Sequence, residues 1–407
     1  MQTTDIIIIG AGAAGIAAGR RLQGAGASFV ILEARDRIGG RGWTRSEDGE
    51  AIDIGCEWLH SANHNVWRAE AETLGFDVIH TPSPWMRQSG SIGSSAEDQA
   101  SFGAAFGQFE ARLHARAEID PPHAASVYLE AGSRWNPLLD AVFTYISGAE
   151  LDRIDARDYA RYEDTGLNWR VREGYGALMQ AYGAGLPIEL ETPVLDIDHS
   201  GARVRVTTTR GVIEATQIII AVPTSILAKL KITPDLPDVR EAAEGLPLGT
   251  AEKVFFKILA PEAFPADGHV FSHIDRVDIG SYHLRPLGRP LIESYFGGTL
   301  ARRLAEAGQA AMIDFAAQEL TGLLGAKVRT QISPLACSHW AIDPYALGSY
   351  SYAKPGCAEM RAVLAQPHAE RLFFAGEACS RERYSTAHGA FETGVAAAEL
   401  ALSARQG

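Results

Sequence analysis

The chain has 407 residues, 46% of them hydrophobic and 21% charged, which is two or three domains' worth of foldable sequence and excludes a disordered or fibrous protein. With 50 acidic residues against 37 lysines and arginines the net charge is −13, so the chain lacks the basic footprint of a nucleic-acid binder and matches an anionic lipid surface poorly. No stretch reaches the roughly 18 to 20 apolar residues of a membrane span, and no secretory signal is read near Met1, so a cytoplasmic location is expected.

From the N-terminus, Ile6 to Ile9 form an apolar run closed by Gly10, as in a buried parallel strand. Gly10, Gly12 and Gly15, with Ala14 between, spell G-x-G-x-x-G at a strand-to-helix turn. Gly10 permits the turn, Gly12 lets backbone approach a pyrophosphate, and Gly15 lets the helix pack on the strand. The helix runs to about Gly24, with Arg20 and Arg21 on its solvated face, and its N-terminus offers free N–H groups to an anion. A second strand, Ser28 to Glu33, ends in an acid placed to accept from a ribose diol. Ala34, Arg35 and then Gly39-Gly40-Arg41 follow, two glycines for a second close approach and a guanidinium for the phosphates.

Residues 85–95 are dense in Ser and Gly and read as a turn or hairpin. Phe102, Phe106, Phe109 and Leu113 recur at three- and four-residue steps, predicting a helix over 97–117 that Pro121-Pro122 ends. The stretch 123–190 reads as helical, and Pro187 to Asp198, Arg203 to Thr209 and Val212 to Val222 read as strands. Residues 253–300 alternate like strands, 301–324 read as helix, and Arg371 to Leu402 reads strand, loop, helix. The four cysteines, Cys56, Cys337, Cys357 and Cys379, show no C-x-x-C spacing and fit free thiols. His60 and His64 stand at i, i+4 without a third ligand or an H-E-x-x-H pattern, so no metal site is expected.

The run Glu33-Ala-Arg-Asp-Arg-Ile-Gly-Gly-Arg41 resembles the second FAD signature of the flavin amine oxidases, the family of monoamine, polyamine and L-amino-acid oxidases and flavin histone demethylases. Further pieces are similar along the whole chain: Asp53 to His60, the G-Y-G-A-L at Gly174, G-T-A-E-K-V-F-F-K around Lys253, C-S-H-W at Cys337, G-S-Y-S-Y at Gly348, and Arg371 to Leu402. The resemblance implies that Glu33 holds the adenosine ribose and Arg41 the pyrophosphate. It implies that Gly55, Cys56, Glu57 and Trp58 run past the flavin ring, that Val194 meets the adenine, and that Glu377 lies at the ribityl–pyrophosphate region. Thr386 and Ala387 would open a helix toward the flavin's pyrimidine carbonyl. Lys253 would bond a water bridging to the flavin; its apolar neighbours Val254 to Phe256 fit a buried lysine, and strand alternation fits an exposed one. Trp340 and Tyr350 match aromatic positions beside the ring. Ser349 stands where monoamine oxidases carry the flavin-bonding cysteine, which implies non-covalent FAD. Thr386 stands where those enzymes place a second aromatic, so Tyr384 or Trp58 substitutes or the substrate is bulkier. His60, Asn63 and His64 are candidate pocket residues.

The expected fold is α/β, a Rossmann-like FAD-binding domain (1–60, 190–252 and 335–407) interleaved with an α+β substrate domain (61–189 and 253–334). The expected function is oxidation of a primary or secondary amine by hydride transfer to flavin, with imine hydrolysis and electrons passed to dioxygen, giving hydrogen peroxide, or to an electron carrier. The alternative is a flavin desaturase of a carotenoid- or porphyrinogen-like substrate, which shares the N-terminal motifs and has no need of Lys253.

Overall fold

The computed structural model describes residues 2–86 and 94–405; the turn expected over 85–95 lies mostly outside them. In chain order, β1 (Gln2–Ile9), α1 (Ala13–Gly24) and β2 (Phe29–Leu32) come first. The long helices α2 (Ala96–Arg116), α3 (Asn136–Ser147) and α4 (Tyr175–Gly183) follow. Then come β3 (Ile188–Glu189), β4 (Val194–Asp198), β5 (Val204–Thr208), β6 (Gly211–Ile220) and β7 (Lys231–Thr233). Strands β8 (Ala251–Ile258), β9 (Gly268–Phe271), β10 (Ser281–Leu284) and β11 (Leu291–Gly297) lead into α5 (Gly298–Ala307) and α6 (Gln309–Leu324). The chain finishes with β12 (Ile332–Cys337), β13 (Leu372–Phe374) and α7 (Ala387–Ser403).

The first sheet has the order β7-β4-β5-β6-β1-β2-β3, with β13 pairing the end of β6. Strands β6, β1, β2 and β13 run parallel, whereas β5 is antiparallel to β4 and β6. The isoleucine run of β1 is explained by burial on both faces. Ile6 and Ile8 pack with Ile16 and Leu22 of α1 and Ala397, Ala398 and Ala401 of α7. Ile7 and Ile9 pack on the opposite side with Val204, Val206, Ile213 and Leu246.

The second sheet, β9-β10-β11-β8-β12, is antiparallel throughout and has two unlike faces. Val254, Phe256, Tyr282, Ile292 and Phe296 point into a core closed by Leu300, Leu304, Met312 and Leu320 of α5 and α6. The alternate residues face the other way: Lys253 opposite Tyr295, Phe255 opposite Glu293, and His283 opposite both Glu293 and His269. The helix expected over 301–324 is two helices, broken at Gly308, whose φ of +93° an L side chain rarely adopts.

The predicted helix over 97–117 is α2, capped by Ser95 accepting from Asp98 N. The stretch 123–190 is not helical throughout: Trp169–Val171 is a strand paired with Trp58–Leu59 and Val78–Ile79. His60 and His64 lie in the turn before the helix Val66–Leu74, not on a helix face. No helix among the described residues is long and apolar enough to cross a membrane.

Arg361 is fully buried and ties these parts together. Its Nε and Nη2 donate to Asp158 at 2.7 and 2.9 Å, its Nη1 donates to Ser351 Oγ at 2.9 Å, and its guanidinium lies 3.7 Å from the Tyr384 ring centroid. Removing one partner of such a pair strands a buried charge. Arg361→Met is therefore expected to lower stability by about 3–5 kcal/mol; an unchanged melting temperature in a thermal unfolding series would refute this.

Candidate active site

A continuous cavity of about 1310 Å³ runs from the glycine turn after β1 to the polar face of the second sheet. At the first end it is lined by Gly10, Gly12, Ala14, Glu33, Ala34, Arg35, Gly40 and Arg41. Gly15 is not on the wall; a Cβ there would sit 1.8 Å from Gly10 O, so its role is packing α1 onto the turn. Gly12 caps α1 without a side-chain bond, and the first turn carries no acid, so backbone donors of that turn remain open to an anion. The Glu33 carboxylate is oriented by Ala11 N at 2.8 Å and Arg35 N at 2.9 Å. The second glycine pair packs on the first: Gly39 N donates to Ala11 O, and a Cβ on Gly40 would lie 3.0 Å from Gly12 Cα. Val194, Val222, Pro223, Ile226 and Leu230 form an apolar slot beside this end.

Around the middle of the cavity stand Gly55, Cys56, Glu57, Trp58, Trp340, Tyr350, Glu377, Thr386 and Ala387. The Glu377 carboxylate accepts from Arg41 Nη1, Ser351 Oγ and N, and Ser385 N. Burial alone would push its carboxyl up, and Arg41 with these donors overcomes that and holds it below the usual range. Its acceptor sites face protein, so it positions Arg41 rather than offering a free carboxylate. Thr386 Oγ1 accepts from Gly389 N and caps α7, whose start lines the cavity. Burial pushes the Cys56 and Cys379 thiols up to about 12, so neither is a thiolate. Ser349 Oγ donates to Ala251 O.

Lys253 is buried, and its ammonium finds three protein acceptors: Glu293 Oε1 at 2.8 Å, Glu57 Oε2 at 3.1 Å and Asp53 O at 3.1 Å. An ammonium has three donors, so a bridging water is accommodated only if one acceptor lets go. Burial alone would lower the lysine, and the two carboxylates reverse this and raise it. Within the pair, burial works against ionisation of both acids; Lys253 and Arg170 pull Glu57 down, while Glu57 beside it pushes Glu293 up, to about 8. Atoms of Glu57, Glu293 and His283 lie within 4.8 Å of one another, and Lys253 supplies the positive charge there.

The remaining wall is aromatic and apolar: Phe102 and Phe106 of α2, Trp135, Leu138 and Val142 of the α3 region, and Phe271 of β9. Tyr350 and Tyr295 hydroxyls are 3.0 Å apart, and Tyr350 donates to Tyr145 O. Tyr384 and Trp58 both reach the cavity; Trp58 lies under the Arg170 guanidinium and meets Trp85 edge to face. His60 lines it too, with Nδ1 2.7 Å from Asn168 Oδ1. Asn63 and His64 do not: both are exposed, and Asn63 Oδ1 accepts from Thr165. Sequence reasoning missed Glu293, His283 and Tyr295. Their signal is the alternation of 253–300, which identifies two faces but not which one meets Lys253.

The sequence profile of the family described as flavin containing amine oxidoreductase matches residues 13–89 and 126–402. This chain belongs to that family. It is 27% identical to polyamine oxidase 4 of Oryza sativa subsp. japonica, over 97% of this chain and 88% of the relative. It is 26% identical to pseudooxynicotine dehydrogenase of Pseudomonas sp, over 96% of this chain and 84% of the relative. It is also 26% identical to lysine-specific histone demethylase 1 homolog 2 of Arabidopsis thaliana, over 98% of this chain but only 58% of that longer relative. Among solved structures, wild-type putrescine oxidase bound to putrescine superimposes with a TM-score of 0.81 at 19% identity, covering 98% of this chain and 99% of the other. Cyclohexylamine oxidase from Brevibacterium oxydans superimposes at 0.79 and 20% identity, with the same coverage. These likenesses establish the Rossmann-like α/β fold with a second, antiparallel sheet.

The residues present fit the flavin that this family carries. The amine oxidoreductase has an uncapped helix N-terminus, a glycine cradle, an oriented acid and an apolar slot along one continuous cavity. Gly40 has a φ of +58° and no room for a Cβ against Gly12. Gly40→Ala is expected to weaken FAD binding to the apoprotein by about tenfold or more, read by titration of flavin fluorescence. Wild-type affinity in that variant would contradict the assignment of the cradle.

Proposed function

We propose that this amine oxidoreductase binds FAD non-covalently and oxidises a primary or secondary amine of small-molecule size. The observation that carries the reading is the single cavity joining the glycine cradle to a sheet face that bears Lys253, Glu57, Glu293 and several aromatics. FAD, when bound, supplies the acceptor for a hydride from the carbon bearing nitrogen, and the electrons pass on to dioxygen, as hydrogen peroxide, or to a carrier.

In this reading the open N–H groups of α1 and Arg41 hold the pyrophosphate, Glu33 the adenosine ribose, and the slot at Val194 the adenine. The start of α7, at Thr386 and Ala387, places a helix N-terminus where negative charge develops. Trp340 is fixed by its Nε1 donating to Ile54 O at 3.0 Å, and Tyr350 by Tyr295, so both act as rigid walls for the substrate. The aromatic lining from Phe102 to Phe271 excludes water from the amine and its imine until release. The imine then hydrolyses to a carbonyl compound and ammonia or an amine. Lys253 acts by holding Glu57 and Glu293 in the wall. The same buried charges disfavour the desaturase alternative, since an apolar polyene gains nothing from them.

The cofactor-binding unit is proposed to be discontinuous (1–60, 190–252 and 335–407), in keeping with a first sheet that draws β1, β4 to β7 and β13 from distant parts of the chain.

Anaerobic mixing of the flavin-loaded protein with a panel of mono-, di- and polyamines tests the reading. Loss of oxidised-flavin absorbance is expected with at least one amine, and no bleaching with any would refute it. Lys253→Met is expected to retain flavin and slow that reduction by about 10²-fold. Acid precipitation should release intact FAD into the supernatant; flavin remaining in the pellet would mean a covalent bond.

A further inference from the structure

Two carboxyls share one ammonium in the wall of the cavity. Lys253 Nζ spends its donors on Glu57 Oε2, Glu293 Oε1 and Asp53 O. The second oxygen of Glu57, Oε1, is buried with no N–H or hydroxyl partner among the described residues, and Glu57 is 8% exposed. Glu293 is the acid beside it, an oxygen of each lying within 4.8 Å of the other, and two buried carboxyls this close hold one proton between them more readily than they both ionise. Both acids line the cavity. The arrangement therefore has two states: neutral overall with one proton in the pair, or carrying one negative charge without it.

We propose that the Glu57–Glu293 pair, anchored by Lys253, is the base that takes a proton from the substrate's ammonium before the amine is oxidised. The inference rests on the amine reading above. An alkylamine arrives from neutral water as its ammonium, and its lone pair is free only after one N–H is lost. Only the ionised state of the pair can do this: the N–H bond breaks, an O–H bond forms on the Glu293 carboxylate, the pair passes from its negative to its neutral state, and no electrons are transferred to or from it. The way out for that proton is His283, which lies within 4.8 Å of both acids and stays neutral overall by taking a proton on one ring nitrogen as it gives one up from the other; its Nε2 is 3.2 Å from Asp267 Oδ1, a partly exposed carboxylate that also holds Arg170 at 3.1 Å. The groups facing Glu293 from the elements around it are Lys253 on β8, His283 on β10, Tyr295 on its own strand, Glu57 and Asp53 from the N-terminal segment, Arg170 with Asp267 behind them, and two further cations, Arg172 and Arg289, which line the same small space behind the pair. Lys253 and Arg170 are cationic, Asp53 and Asp267 anionic when ionised, and burial keeps His283 neutral, so the free proton position is within the carboxyl pair.

Two measurements on the flavin-loaded protein test this. Infrared difference spectroscopy with 13C-labelled glutamate follows a buried protonated carboxyl as pH rises. Its C=O band is expected to vanish with a midpoint near pH 8 and to be absent from Glu293→Gln. Benzyltrimethylammonium, a cation that has no proton to give, is titrated by its effect on the flavin spectrum. Its affinity is expected to rise about fivefold or more between about pH 6.5 and about pH 9.5, because the ionised pair attracts it, and to stay level in Glu293→Gln. Glu293→Asp is expected to keep a pH-dependent profile, which separates loss of the base from loss of the fold. A carboxyl band insensitive to pH, a level wild-type profile, no binding of the cation at any pH, or a profile unchanged in Glu293→Gln overturns the inference. Failure of every amine to bleach the flavin would sink the amine reading itself; bleaching with a level profile would sink only the proton-acceptor role.

Discussion

The structure turns on one buried ammonium. Lys253 Nζ lies where the N-terminal segment, through Asp53 O and Glu57, meets β8 and β11 of the second sheet, through its own strand and Glu293. Burying such a charge is costly unless several acceptors surround it, and removing an acceptor leaves that cost unmet. The ion cluster therefore helps to fix the N-terminal segment on the second sheet, beside the packing of Ile52 and Ile54 against Phe255 and Trp340. Ile54 O, one residue past Asp53, receives Trp340 Nε1, and Trp58, one residue past Glu57, lies under the Arg170 guanidinium. The aromatic walls of the cavity inherit their positions from this seam.

The second constraint is the two-faced sheet. Antiparallel strands normally turn one face to the core and one to water. Here the polar face turns to a cavity, so Lys253, Glu293 and His283 are buried, and Tyr295 half-buried, without being core. That explains a group of charged residues whose pKa values move in opposite directions within a few ångströms: Glu57 down, Glu293 and Lys253 up. The glycine-rich end is built differently. It presents open backbone donors and glycine clearances rather than charge, apart from Arg41 and the acid that holds it.

The parts legible in the sequence are those whose physics is local. A strand, a glycine turn, a helix and an acid lie within Gln2 to Glu33, and each signal is read without knowing a partner. The α2 helix was legible from its phenylalanine spacing for the same reason. The break at Gly308 is not legible, because a single glycine inside a helical pattern has no sequence mark distinguishing tolerance from a break. Asn63 and His64 were misplaced because the turn before Val66 sends them to solvent while His60 goes inward. Glu293 and His283 were invisible for a deeper reason. Their role exists only through pairing across β8, β10 and β11, and register is a property of the sheet rather than of any one strand. Glu377 was found, but its bonds to Ser351 and Ser385 show it serving Arg41.

Lys253 and its acids form one energetic unit where the segment Asp53 to Glu57 meets the second sheet. A double-mutant cycle on the flavin-loaded protein measures this directly, comparing the unfolding of wild type, Lys253→Met, Glu57→Gln and the double variant. Each single change should destabilise strongly, while the double should cost less than their sum by about 1–3 kcal/mol. Additivity within about 0.5 kcal/mol would contradict the account.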